Sequence, residues 1–200
     1  TDSQLALGLA FLAPKNAPIL TSKNPNPETE EFKIAKPAAA AVLSLKGPQR
    51  GLKVIKAGPM PKGDFTAEAF IQLNSLFPDA SVRTIISQWN GSKASPGWSF
   101  GITSTKSAYQ PRNLILQLIG VPQRGDHGYQ VIASGLRPEL NKPYYVGVSL
   151  KFGDNGTGKA TFLLRDLSNP KATLQTITKP FNKNKHYVTK QAPVICGRAK

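Results

Sequence analysis

From about Gly51 onward the chain alternates between apolar and polar positions. In DFTAEAFIQL (Asp64–Leu73), Phe65, Ala67, Ala69, Ile71 and Leu73 fall on one face, and Thr66, Glu68, Phe70 and Gln72 on the other. A period of two is the signature of a half-buried strand. RTIISQW follows as a second strand, and WSFGIT aligns Trp98, Phe100 and Ile102 against Ser99, Gly101 and Thr103. NLILQLIG sets Leu114, Leu116 and Leu118 against Asn113, Ile115, Gln117 and Ile119. YQVIA (Tyr129–Ala133) is shorter. YYVGVSLKF turns Tyr144, Val146, Val148 and Leu150 inward, and Tyr145, Gly147, Ser149 and Lys151 outward. KATFLLRDL continues with Ala160, Phe162 and Leu164 on one face, and TLQTIT and APVIC are the last strand candidates. The connectors NGSKASPG, PQRGDHG, GDNGTG and LSNPKA carry turn residues. FGDNGTGKATF reads as a hairpin. No segment keeps a helical period and no internal repeat is visible. The pattern predicts an all-β domain, a two-sheet antiparallel jelly-roll sandwich.

The first fifty residues differ. Ala13–Val42 mixes Pro, Asn and Lys with an acidic cluster at Glu28, Glu30 and Glu31. In NPNPE each Asn precedes a proline, which pushes it out of helical geometry. AAAAVLSL (Ala38–Leu45) fits a short helix or a strand entering the domain. LALGLAFLA (Leu5–Ala13) is too short to span a bilayer and lacks a basic flank, so a buried strand is expected. The chain divides into an irregular N-terminal extension or arm, 1–50, and a sandwich domain, 51–200.

GDFTAEAFIQL, RTIISQW, GWSFGI, NLILQL, GLRPELNKPYYVGVSL and ATFLLRDLSNPKATLQT follow one another between Gly63 and Thr178. Their order resembles the LamG-like, concanavalin A-like lectin/glucanase superfamily, most closely the modules of exported planctomycete proteins. The resemblance implies a jelly roll of two sheets and a non-catalytic binding or adhesion role in an exported bacterial protein, periplasmic, extracellular or at the cell surface. It assigns no ligand, because sites are grafted on folds. One departure stands out. Family modules run on into a closing strand, whereas here VICGRAK ends the sequence. Either the closing strand is missing, or the N-terminal arm or another chain supplies it, and an open C-terminal edge would invite partner pairing.

Charge narrows the partners. The sequence has 26 Lys+Arg against 11 Asp+Glu, a formal net charge of +15. Such a chain attracts polyanions. The cations are spread along it, and no RRM, KH or OB signature accompanies them, which argues against nucleic acid. The partners expected are a glycan, an acidic one suiting the charge, or an acidic protein surface. Cys196 is the sole cysteine, so no intrachain disulfide forms, and it has no catalytic partner near it in sequence.

Catalysis finds little support. Glucanases of the superfamily carry carboxylates two residues apart on one strand, and no strand here does. Asp126 beside His127 would point opposite ways on a strand. GTGK lacks full phosphate-loop spacing. For calcium, GDNGTG offers Asp154, Asn155 and carbonyls, one carboxylate where several are wanted. No metal, cofactor or catalytic residue is assigned.

For a sugar, an aromatic face beside polar groups is needed. The ligand-binding candidates are Trp89 with Asn90 at a strand end, and Tyr109 with Arg112 in SAYQPRN. Trp98 shares a face with Phe100 and Ile102 and belongs to the core. Trp89 shares a face with Ile85 and Ser87, which favours the core for it too. The rival reading is a structural subunit of a homo- or hetero-oligomeric assembly, pairing through its arm and open edge.

Overall fold

The computed structural model describes residues 63–89, 91–92, 96–120, 128–153 and 157–182, together with the backbone of four strands at 4–8, 43–46, 51–54 and 194–197. The strands are β1 (Gln4–Gly8), β2 (Leu43–Lys46), β3 (Gly51–Val54), β4 (Phe65–Leu73), β5 (Val82–Gln88), β6 (Gly97–Thr103), β7 (Leu114–Ile119), β8 (Tyr129–Ala133), β9 (Pro143–Phe152), β10 (Thr157–Asp166), β11 (Gln175–Asn182) and β12 (Val194–Gly197). They form two six-stranded sheets. Sheet A has the order β11-β10-β9-β4-β1-β2, and sheet B the order β3-β12-β5-β6-β7-β8. Every pairing is antiparallel. The molecule is the all-β, two-sheet sandwich that the alternation predicts. Among the described residues no helix is long and apolar enough to cross a membrane.

The apolar members of each alternation meet between the sheets. From sheet A come Ala67, Ala69, Ile71, Leu73, Tyr144, Val146, Val148, Leu150, Ala160, Phe162 and Leu164. From sheet B come Ile85, Trp98, Phe100, Ile102, Leu114, Leu116, Leu118 and Ile132. Aromatic pairs tie the layers: Phe65 of β4 lies 5.0 Å from Trp98 of β6, and Phe100 of β6 lies 6.4 Å from Phe162 of β10. Offset and tilted rings of this kind are favoured over face-to-face stacks.

The two sheets differ on their outer faces. Sheet B is buried there as well: Ser87, Ser99, Thr103, Ile115 and Ile119 all point away from the core cluster and are buried. Sheet A is open: Thr66, Glu68, Phe70, Lys151, Lys159, Arg165, Thr176 and Thr178 are exposed.

Three sequence expectations change. The open C-terminal edge is corrected: β12 is bonded on both sides, Cys196 opposite Leu52 of β3 and Ile86 of β5. β3, at the start of the sandwich domain, supplies the neighbour that the pattern lacked. Second, β1 and β2, from the first fifty residues, continue sheet A beyond β4. Of AAAAVLSL, Leu43–Lys46 includes its end and is strand, while 38–42 lie outside the described residues. Third, the register of β5 against β6 slips between Thr84 and Ile86, leaving Ile85 as the extra residue of a bulge. A bulge puts two residues opposite one and re-aims the side chains beyond it. Ile85 therefore joins the cluster between the sheets, while Trp89, buried as expected, lies outside that cluster, and the shared face predicted for them is split.

One edge of sheet A is β11, whose Pro180 stands opposite Lys159. Proline is tolerated in an edge strand where its nitrogen faces away from the ladder.

Candidate binding face

The four sequence candidates do not come together. Trp89 follows β5, at the end of the sheet where β6 begins, and Tyr109 and Arg112 lie in the loop where β6 ends. Seven strand residues separate these ends by roughly 20 Å. Trp89 is 8% exposed and its indole N–H donates to the Ser92 carbonyl at 2.8 Å. It closes its own loop and offers no open ring face. Asn90 lies outside the described residues, as do Asp126, His127, Asp154 and Asn155. Tyr109 is 43% exposed, and Arg112 is half-buried.

The Tyr109–Arg112 loop is shaped from within. Gln110 and Arg112 both take positive φ, 66° and 63°. That region is disfavoured for side-chain-bearing residues and persists when the surroundings over-determine it. Here Asn113 does so. Its Nδ2 donates to the Tyr109 carbonyl (2.8 Å), and its Oδ1 accepts from Gly135 N (2.9 Å) and Ser134 Oγ (3.2 Å). Its own N–H donates to Thr103 Oγ1 at 2.8 Å, and that hydroxyl donates on to the Gln110 carbonyl.

A continuous exposed surface lies elsewhere, on the outer face of sheet A. Directly opposed residues share a face, so the registers of β4, β9, β10 and β11 define rows across it. One row is Thr66, Ser149, Thr161 and Thr178. Its hydroxyls bond in pairs, Thr66 Oγ1 to Ser149 Oγ at 3.1 Å and Thr161 Oγ1 with Thr178 Oγ1 at 2.9 Å. The next row is Glu68, Gly147, Leu163 and Thr176. The third is Phe70, Tyr145 and Arg165. On the far side of the hydroxyl row, Lys151 stands directly opposite Lys159. Strands are spaced about 4.8 Å apart, so each row offers a group at that interval.

Gly147 is buried at the centre. A Cβ there would crowd Leu163 Cδ1 at 3.1 Å and Glu68 Cγ at 3.3 Å, so these two side chains close over the glycine and keep the face level. Beside it, the Phe70 and Tyr145 rings lie 5.7 Å apart, tilted by 52°. With Arg165, Leu167 and Leu174 they line an open depression of about 290 Å³. Phe70 is 37% and Leu174 46% exposed, which makes this an accessible apolar patch in an otherwise polar face.

The electrostatics are ordered. Tyr145 Oη donates to Glu68 Oε1 at 2.7 Å, which fixes both side chains. Partial burial, and then the hydrogen bond to the Glu68 carboxylate, push the Tyr145 phenol up to about 12. The second carboxylate near this face, Asp64, accepts the Phe152 N–H at 2.8 Å. Asp64 and Glu68 are four residues apart along an extended chain, roughly 13 Å. Lys151, Lys159 and Arg165 add positive charge. Two like charges directly opposite cost stability unless something neutralises them. Among the described residues no group of three or more His, Cys, Asp or Glu could hold a metal ion.

The alternation turns Phe70 and Tyr145 outward, yet neither is among the four sequence candidates. A signal for them exists: in FTAEAFIQL and PYYVGVSLKF an aromatic residue falls on the polar side of the alternation. No family model matches the chain, and no curated protein matches it significantly.

Proposed function

We propose that this chain is a non-catalytic carbohydrate-binding module, that its ligand is an acidic polysaccharide, and that it lies along the outer face of sheet A. The observation that carries the reading is the register of that face. An aromatic pair, a row of four hydroxyl residues and two facing lysines lie on one exposed surface across β4, β9, β10 and β11. Ring faces take the CH side of a sugar, hydroxyls and Glu68 take its polar edge, and the lysines take its acidic groups. A net charge of +15 draws a polyanion toward the surface. The separation of Asp64 and Glu68 supports binding over hydrolysis, since paired glycosidase carboxylates stand about 5–9.5 Å apart. The resemblance of Gly63–Thr178 to LamG-like modules agrees with such a role, in an exported protein.

Affinity electrophoresis tests it, with polygalacturonate, alginate and chondroitin sulfate in the gel and a neutral glucan as control. Retardation by an acidic gel is expected, lost in Phe70→Ala/Tyr145→Ala and weakened by Lys151→Glu/Lys159→Glu. Free migration in every gel, or retardation unchanged in both double variants, rules the reading out.

A further inference from the structure

The end of the sandwich where β5 starts and β6 finishes holds a buried cation. Arg83 is 4% exposed and stands opposite Ile102 on the core side of sheet B. Its guanidinium carbon lies 3.9 Å above the centre of the Phe77 ring. One terminal nitrogen donates to Ser75 Oγ at 3.2 Å, while Nε is buried and bonded to nothing. Ser104 follows β6 directly, two residues after the Ile102 that stands opposite Arg83, and the alternation continued from β6 turns it to the Ile102 side. The Thr105 N–H donates to the Phe77 carbonyl at 3.2 Å, so this loop is drawn against the residue that Arg83 covers. The Ser104 hydroxyl is also buried without a partner.

We infer that Arg83, Ser75 and Ser104 form a binding site for one small oxyanion, a sulfate or a simple carboxylate. Buried polar groups in native proteins are satisfied almost without exception, and a buried charge needs a counter-charge or a large desolvation cost remains. Among the described residues Arg83 is bridged to no acid, and burial is what lowers its pKa, to about 10, so it is still charged near neutrality. A water molecule would satisfy Nε and leave the charge uncompensated. An oxyanion oxygen at Nε meets both demands, and the Ser75 and Ser104 hydroxyls can each donate to it. Arginine suits this task because its planar fork matches an oxyanion's geometry. The site is separate from the proposed glycan face, which lies on the outside of the other sheet.

The test is thermal unfolding with sodium sulfate or sodium acetate at constant ionic strength, made up with sodium chloride. The full chain should gain about 3–6 °C at an anion concentration some tenfold or more above its Kd, along a saturating curve. The response should vanish in Arg83→Gln and shrink in Ser104→Ala and Ser75→Ala. It should persist in Phe70→Ala/Tyr145→Ala, which separates it from the glycan face. If Arg83→Gln does not fold, the two serine variants decide, together with the Arg83 Nε–H resonance, which should shift on adding sulfate. A linear response shared by all variants, or no movement of that resonance, overturns the site.

Discussion

Gln130 of β8 and Asn182 of β11 lock the two sheets together at one corner. The Gln130 amide donates through Nε2 to the Asn182 carbonyl (2.9 Å) and accepts the Asn182 N–H through Oε1 (3.1 Å). One side chain thus imitates a strand neighbour across the gap between sheets. Gln130→Ala should cost about 1 kcal/mol, because each of these bonds is partly exposed to water. Unfolding should shift down by about 2–4 °C, and amide exchange should quicken at Asn182 ahead of the core strands. Exchange at Asn182 no faster than in the parent would show that the clip is idle.

Asn113 should be far less replaceable. It is buried, and its side chain alone closes hydrogen bonds to three residues of two loops. Asn113→Ala removes the acceptor of the Gly135 N–H and the Ser134 hydroxyl, and releases the positive-φ turn at Gln110 and Arg112. The expected loss is about 2–4 kcal/mol by denaturant unfolding, with Asn113→Asp recovering only the part due to Oδ1.

Tyr145 makes stability fall at high pH. Its phenol sits at about 12 in the folded chain against 10.0 for a free one. The folded state therefore keeps a proton that the unfolded state releases. The contribution is whole below pH 10 and is lost as pH climbs from 10 to 12. Melting curves of the parent and Tyr145→Phe, taken across that interval, should converge as the parent loses its advantage. Parallel curves through the interval would remove Tyr145 as the cause.

Gly147 tests whether the ligand lies over the centre of the sheet. In Gly147→Ala the new methyl meets Leu163 Cδ1 at 3.1 Å, Glu68 Cγ at 3.3 Å and the Ala67 carbonyl at 3.5 Å, and Glu68 is held by Tyr145, so stability should fall by about 1–3 kcal/mol. Leu163 and Glu68 are pushed outward, and retention on an acidic polysaccharide should weaken severalfold. A variant that binds as the parent does would place the ligand elsewhere on the sheet.

The alternation reads this fold well where strands are straight. β4, β6, β7, β9 and β10 present the faces that the period of two assigns, and Trp98 joins the core with Phe100 and Ile102. It fails at Ile85. A bulge adds one residue to one strand, and nothing in RTIISQW marks which of its residues is surplus. Trp89 consequently ends on the opposite face from Ile85. The partner of β12 was also hidden, since β3 carries only four residues and no strong pattern. The rows of sheet A could not be read either. Each strand declares its own outward residues, but which of them become neighbours depends on the register between β4 and β9, far apart in sequence. Phe70 and Tyr145 meet only once that register is fixed.

Pro180 has a consequence beyond its own strand. Asn182 turns its N–H and C=O toward Gln130, away from β10, and a residue two positions earlier faces the same way. A foreign strand laid against β11 would therefore find no donor at Pro180 and an already engaged pair at Asn182. Sheet A has a broad, regular, hydroxyl-rich face, the kind of template on which fibrils grow. At its β11 edge an added strand would be poorly held, since the donors it needs there are missing or taken.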